Sequence, residues 1–251
     1  SYNIEMAEQE EAVNKCMSFI PDEMDKDEGR NLIALLYKLG FVSDYLDALN
    51  AKDENGLDED GDKPELSHHF DFEEAIDPQT GKITSLNLCR VNYNDDDEVD
   101  YKTYDLPSTI ENFNSLEEIK LWNCQKIPIE LGNLSQLKDI GFFEFNDNLL
   151  ENIPEGFQLP SSTKRVHISS FSDSDSRSSL SSFMKILPDT LSELCFGYTA
   201  TRELTDEILG FLQKDNLIFS QSLTKLEIHG CELNDDDLEL LLFEIRSNFP
   251  N

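Results

Sequence analysis

Basic residues are scarce in this sequence, and their scarcity excludes one large class of partners. The 251 residues include 20 Lys and Arg against 52 Asp and Glu, so the formal net charge is −32 at pH 7. A field of this sign repels nucleic acid and anionic lipid, and it attracts basic proteins or cations. The acidic excess is denser in residues 1–82 than in the rest of the chain. We therefore expect no nucleic-acid partner.

Long hydrophobic runs are also missing. No stretch of 18 or more apolar residues occurs, so the sequence predicts no insertion into a membrane. The hydrophobic fraction of 38% is nevertheless high enough for a sizeable core. The first residue is Ser1 and not Met, which leaves a removed targeting peptide as an alternative to a purely intracellular protein.

Cysteines are few, and their spacing matches no local metal site. The five residues contain no Cys-x-x-Cys pair, and they are Cys16, Cys89, Cys124, Cys195 and Cys231. An odd number without paired cysteine caps favours a reducing compartment, and we expect the cytoplasm. An organelle or secretion stays open because of the N-terminus.

Catalytic and metal-binding motifs are missing as well. The sequence has no Gly-x-Ser-x-Gly, no phosphate-binding glycine loop and no His-Glu-x-x-His. An acidic run offers Asp58, Asp60 and Asp62 at the spacing of a calcium loop, but Lys63 and His69 stand where that loop needs Gly and Glu. We predict a protein that is not an enzyme and that has no cofactor and no metal site.

What the sequence does contain is a phrase of three aliphatic positions, aliphatic-x-x-aliphatic-x-aliphatic, in six copies. Successive copies begin 33, 21, 26, 28 and 32 residues apart, and the starting residues are Ile83, Leu116, Leu137, Thr163, Leu191 and Leu223. Each copy predicts a short strand with its aliphatic side chains buried on one side. These steps are close to or slightly above the period of about 20–29 residues that is typical of one class of solenoid, in which the strands stack side by side.

The segments between the copies resemble those of leucine-rich-repeat proteins. The run 127–137 and the run 153–157 are similar to the Ile-Pro arms of plant-type repeats, whereas 204–212 and 233–245 are similar to the helical arms of ribonuclease-inhibitor-type repeats. The resemblance implies an α/β leucine-rich-repeat solenoid with a curved parallel sheet on its concave side and loops and short helices on its convex side. The chain lacks the flanking cysteine pairs of the plant proteins.

Three regions follow from these patterns. Residues 1–50 carry helical apolar stripes and are predicted to form a helical N-terminal cap or a docking region. Residues 51–79 have the composition of an acidic linker, and residues 80–251 are the predicted repeat domain of about six repeats.

The predicted partner-binding residues lie on the concave side, where the alternate residues of each strand point outward. Trp122 and Phe143 occupy the same position in neighbouring repeats, so we expect their rings to lie side by side as an anchor for a partner. A polar rim is predicted from Lys120, Arg165, His167 and Tyr198. Cys124 and Cys231 each follow the last aliphatic residue of a strand by three positions, where the repeat consensus places a buried Asn or Cys.

The sequence therefore predicts a non-enzymatic scaffold that binds a protein or peptide through its concave face. One alternative is an acidic decoy or chaperone-like protein that holds a basic protein on its negative surface. A second is a structural subunit of a larger complex, docked through its N-terminal helices. A third, a ubiquitin-ligase adaptor, depends on a loose likeness of the helices after residues 20–24 to an F-box.

Overall fold

The computed structural model is an α/β protein, and in its described residues two helices precede a mostly parallel sheet. It describes residues 2–42, 75–89, 91–93, 99–143, 149, 152–169, 183–197, 222–229, 235–236 and 239. The predicted α/β class is confirmed at this level. Residues 43–74, which include the end of the predicted cap and most of the predicted acidic linker, lie outside the described residues.

The N-terminal region folds into helices α1 (Tyr2–Cys16) and α2 (Lys26–Lys38), with a 3₁₀ turn at Met17–Phe19 between them. The Asp25 side chain caps α2 by accepting hydrogen bonds from the backbone N–H groups of Asp27 and Glu28. Gly40 follows α2 with a φ of 75°, and the N–H of Phe41 donates to the carbonyl of Leu36. This is a Schellman ending, which a left-handed glycine favours.

Six strands form the main sheet, in the order β1-β5-β7-β8-β9-β10, and every neighbouring pair is parallel. Their bounds are Ser85–Leu88 (β1), Glu118–Trp122 (β5), Asp139–Phe143 (β7), Arg165–Ser169 (β8), Glu193–Gly197 (β9) and Lys225–Ile228 (β10). Two smaller ladders pair β2 (Val91–Tyr93) with β3 (Val99–Tyr101), antiparallel, and β4 (Tyr104–Asp105) with β6 (Cys124–Lys126), parallel.

The six aliphatic phrases stack in register in the main sheet. Their middle residues are aligned from strand to strand and are Leu86, Ile119, Ile140, Val166, Leu194 and Leu226. Five of these six side chains are at most 1% exposed, and Leu226 is partly buried. Because strand side chains alternate between two faces, this alignment gives one continuous apolar face and leaves the alternate residues on the other.

Helix α2 is joined to the start of the sheet by polar contacts in an otherwise apolar interface. The buried Glu28 side chain accepts a hydrogen bond from the backbone N–H of Ile83 at 3.1 Å. The N–H of Asp25 donates to the carbonyl of Gly81 at 2.9 Å. Gly81 has a φ of 68°, and a Cβ there would lie 2.5 Å from the carbonyl oxygen of Glu23, so the junction requires glycine.

The turn that leads into β1 begins inside the predicted acidic linker. Ala75 is buried, and Ile76 forms an isolated antiparallel bridge with Ile83. Asp77 accepts a hydrogen bond from the N–H of Gln79 and another from the hydroxyl of Thr80. The described turn thus begins at Ala75, within the segment that the sequence predicts as an acidic linker.

Candidate functional site

The face of the main sheet that is opposite the apolar core carries three rows of side chains, and we call it the outer face. The first row is Ser85, Glu118, Asp139, Arg165, Glu193 and Lys225. The middle row is Asn87, Lys120, Gly141, His167, Cys195 and Glu227. The last row, at the ends of the strands, includes Trp122, Phe143, Ser169 and Gly197.

Three rings form an aromatic cluster on the outer face. The rings of Trp122 and Phe143 are stacked with centroids 4.5 Å apart, and the ring of His167 lies 4.9 Å from that of Phe143 at an angle of 58°. The indole Nε1 of Trp122 donates to Asn87 Oδ1 at 2.9 Å. The three rings are half-buried, and they span the neighbouring strands β5, β7 and β8. The structure thus brings together three of the predicted partner-binding residues.

Two glycines of the outer face make room for these rings. A Cβ at Gly141 would collide with the ring of Phe143, and a Cβ at Gly197 would lie 3.0 Å from His167 Nε2. The Phe143 ring therefore folds back over Gly141 of its own strand, and the His167 ring leans over Gly197 of the next strand. Burial lowers the pKa of His167 below its usual value, which favours a neutral imidazole at pH 7.

The charged residues of the outer face are paired with one another. Arg165 joins Asp139 at 3.0 Å and Glu193 at 2.9 Å, across β7, β8 and β9. Lys120 lies 2.8 Å from Glu118 on the same strand. Burial raises the pKa of Asp139, and the neighbouring guanidinium opposes that shift. Lys120 and Arg165, predicted as part of a polar rim, are thus paired with acids of the same face.

A second group of side chains gathers at the β9–β10 end. One donor atom each from Cys195, Glu227 and His229 lies within 4.8 Å of the other two. Cys195 is buried, and burial together with the nearby Glu227 carboxylate raises the pKa of its thiol to about 11. A hydrogen bond from Lys225 lowers the pKa of Glu227. Thiol, imidazole and carboxylate are ligands that bind zinc in proteins.

Sequence reasoning missed this second group because its members come from two strands. Cys195 and Glu227 are 32 positions apart in the chain, and only the parallel register sets them opposite each other. The available signal was their shared position in two aligned copies of the repeated phrase, with His229 two residues beyond Glu227.

Cys124 lies away from the outer face in β6. Its thiol is buried, is not in a disulfide, and donates to the carbonyl of Lys126 at 3.1 Å. Burial raises the pKa of Cys124 to about 12, so the thiol stays protonated at neutral pH. The other two predicted site residues, Cys231 and Tyr198, lie outside the described residues.

In the described part of the chain, no helix has the length and apolar character needed to cross a membrane. No protein-family model, curated protein or solved structure matches the sequence or the fold.

Proposed function

We propose that the protein is a leucine-rich-repeat scaffold whose outer face is the concave side of the solenoid and binds a protein or peptide partner. The observation that carries the proposal is the aromatic cluster of Trp122, Phe143 and His167, half-buried and continuous over three strands. Large aromatic side chains on an accessible surface are the residues that most often anchor protein interfaces.

The in-register stacking of the repeated phrases supports the solenoid part of the proposal. Each strand pairs with the next copy along the chain and with no offset. Thr163 fills an aliphatic position of its copy, where it is fully buried and its hydroxyl donates to the carbonyl of Leu137 at 3.3 Å. Stacked repeats of this kind create an extended concave surface, which suits an extended partner.

The charges of the outer face favour a partner with an apolar or aromatic anchor over one held by charge. In the described strands, the three basic side chains of this face, Lys120, Arg165 and Lys225, each pair with an acid of the same face. The outer face therefore lacks the acidic excess of the complete chain. Most of the unpaired acids must lie on other surfaces. Acidic decoy binding would use those other surfaces.

The decisive experiment is affinity capture from native lysate with wild-type and Trp122→Ala protein in parallel. Truncation of Trp122 should cost about 2 kcal/mol or more of binding free energy, which is roughly a 30-fold loss of affinity for the captured partner. The matched control is Ile129→Ala, because Ile129 is 53% exposed but lies in a connecting 3₁₀ helix, Ile129–Asn133.

Stability must be measured alongside affinity. Loss of the stacked pair should lower the free energy of unfolding by only about 0.5–1.5 kcal/mol. A second variant, Gly141→Ala, displaces the Phe143 ring without removing it and should also weaken binding. If both variants keep full affinity for the partner, or if Trp122→Ala unfolds, the aromatic cluster is not the binding site.

The dependence of affinity on ionic strength distinguishes the acidic-decoy alternative from binding through the aromatic cluster. Attraction between the acidic surface and a basic partner is screened by salt, whereas contact with the aromatic cluster is not. An affinity that falls steeply with salt and is unaffected by Trp122→Ala would favour the decoy.

A further inference from the structure

The register of β9 and β10 brings together, on the outer face, three side chains of types that bind metal ions. Cys195 pairs directly with Glu227, and His229 follows Glu227 by two residues, so all three lie on the same side of the sheet. The N–H of His229 donates to the carbonyl of Phe196 at 2.7 Å, which fixes the backbone just after β10. Two adjacent strands thus supply the whole group.

The distances between the three donor atoms are close to those between the ligand atoms of a zinc site. Zinc bonds of 2.0–2.3 Å in tetrahedral geometry place ligand atoms about 3.3–3.7 Å apart. The three donor atoms lie within 4.8 Å of one another, and Glu227 Oε2 lies 4.0 Å from His229 Nε2. The group must contract by about 1 Å to meet that geometry. The side chain of His229 is 60% exposed and that of Glu227 38%, so both are able to rotate toward the buried Cys195.

A neighbouring lysine orients the carboxylate. Lys225 Nζ lies 2.9 Å from Glu227 Oε1, while the other oxygen, Oε2, is the one nearest to His229. A ligating carboxylate is commonly held by a hydrogen bond to its second oxygen in this way. Lys225 Nζ also lies 3.9 Å from Glu193 Oε2.

The donor set decides which ion fits. A thiolate and an imidazole bind Zn²⁺ and other borderline or soft divalent ions, whereas Mg²⁺ and Ca²⁺ prefer oxygen ligands only. Thiolate and carboxylate together neutralise the two positive charges of the ion.

We propose that Cys195, Glu227 and His229 bind one Zn²⁺ ion, with a water molecule as the fourth ligand. This site is inferred without the proposed partner binding, although it adjoins the aromatic cluster, since His167 pairs in register with Cys195. Its open position would be available to a donor group brought by a bound molecule.

Co²⁺ is the probe for the test, because tetrahedral Co²⁺ absorbs in the visible range and a cysteine ligand adds a thiolate-to-metal charge-transfer band. The full chain, stripped with a chelator and kept reduced, should bind one Co²⁺ with both signals, and Zn²⁺ should abolish them by displacement. Cys195→Ser should lose the charge-transfer band, and His229→Ala should weaken Co²⁺ binding at least tenfold. The matched control, Cys89→Ser, changes a cysteine near the opposite end of the sheet, just after β1, and should keep both signals.

Folding is checked by circular dichroism of each metal-free variant. His229 is exposed, so His229→Ala keeps the test valid even if Cys195→Ser fails to fold. The proposal is overturned if wild-type protein gives no tetrahedral Co²⁺ spectrum, or if the spectrum is the same in Cys195→Ser and His229→Ala. Loss of the spectrum in Cys89→Ser alone would place the metal elsewhere and would also overturn it.

Discussion

Glu28 is a buried acid whose side chain joins the helices to the sheet. It is 4% exposed, accepts a hydrogen bond from the N–H of Ile83, and lies 3.6 Å from Lys82 Nζ. A buried carboxylate is tolerated only where hydrogen bonds and an opposite charge offset its loss of hydration. This single side chain satisfies a backbone donor at the first repeated phrase.

Replacing Glu28 with Ala should lower the free energy of unfolding by about 1–3 kcal/mol, because the N–H of Ile83 would be left buried without an acceptor. Glu28→Gln keeps an acceptor oxygen and should cost less. Urea unfolding measures both, with Glu11→Ala as the control, since Glu11 is an exposed acid paired with Lys15 and its loss should leave the midpoint unchanged. Equal losses of unfolding free energy in Glu28→Gln and Glu28→Ala would mean that the charge of Glu28 matters and its role as a hydrogen-bond acceptor does not.

At the scale of the element, the start of α2 depends on the ionised form of Asp25. The N–H of Glu28 donates to the Asp25 carboxylate, and this hydrogen bond, with a smaller one from Lys82, lowers the Asp25 pKa from its ordinary value of 3.8. A lowered pKa in the folded state means that the cap stabilises the protein above the unfolded-state pKa. That stabilisation is lost as the pH falls through the folded-state pKa.

We expect Asp25→Asn to remove this pH dependence while keeping much of the cap, because Asn is also a good N-cap residue. Asp25→Ala should lower the urea unfolding midpoint at neutral pH. The difference in midpoint between wild type and Asp25→Ala should disappear below about pH 4. Midpoints measured across that range test the prediction. A gap that is constant with pH would show that the carboxylate charge contributes nothing.

Much of the sheet was predictable, because it depends on spacing that recurs. The repeated phrase predicted the six strand positions. The helical apolar stripes of residues 1–50 did not locate the end of α1 at Cys16, since helical periodicity continues through the 3₁₀ turn that follows.

The contacts of the outer face were less predictable, because they depend on which residues lie opposite each other. Trp122 and Phe143 share one position of the repeat, and their pairing followed from the sequence. The ion pairs of Arg165 with Asp139 and Glu193 need the register of three strands before they can be recognised. The same is true of Cys195 and Glu227.

At the scale of the whole molecule, the outer face is nearly neutral because its charges are paired, although the chain has a net charge of −32. The outer face holds its bases in ion pairs, across strands for Arg165 and within one strand for Lys120, and exposed pairs of this type contribute little stability each. These pairs keep the net charge of the surface beside the aromatic cluster close to zero. A net charge of this size favours solubility and repulsion between copies of a chain.

The two ends of the main sheet differ in burial, and this difference sets an order in which the molecule opens. At the β1 end, Leu86 and Leu88 are fully buried and the interface with α2 is closed by hydrogen bonds. At the other end, Leu226 and Ile228 of β10 are only partly buried. In a stack where each strand contacts only its neighbours, local opening free energies follow local burial. Amide hydrogen exchange should therefore be fastest in β10, slower in β9 and slowest in β5 and β7. Uniform protection from β1 to β10 would instead show that the six strands open as one cooperative unit.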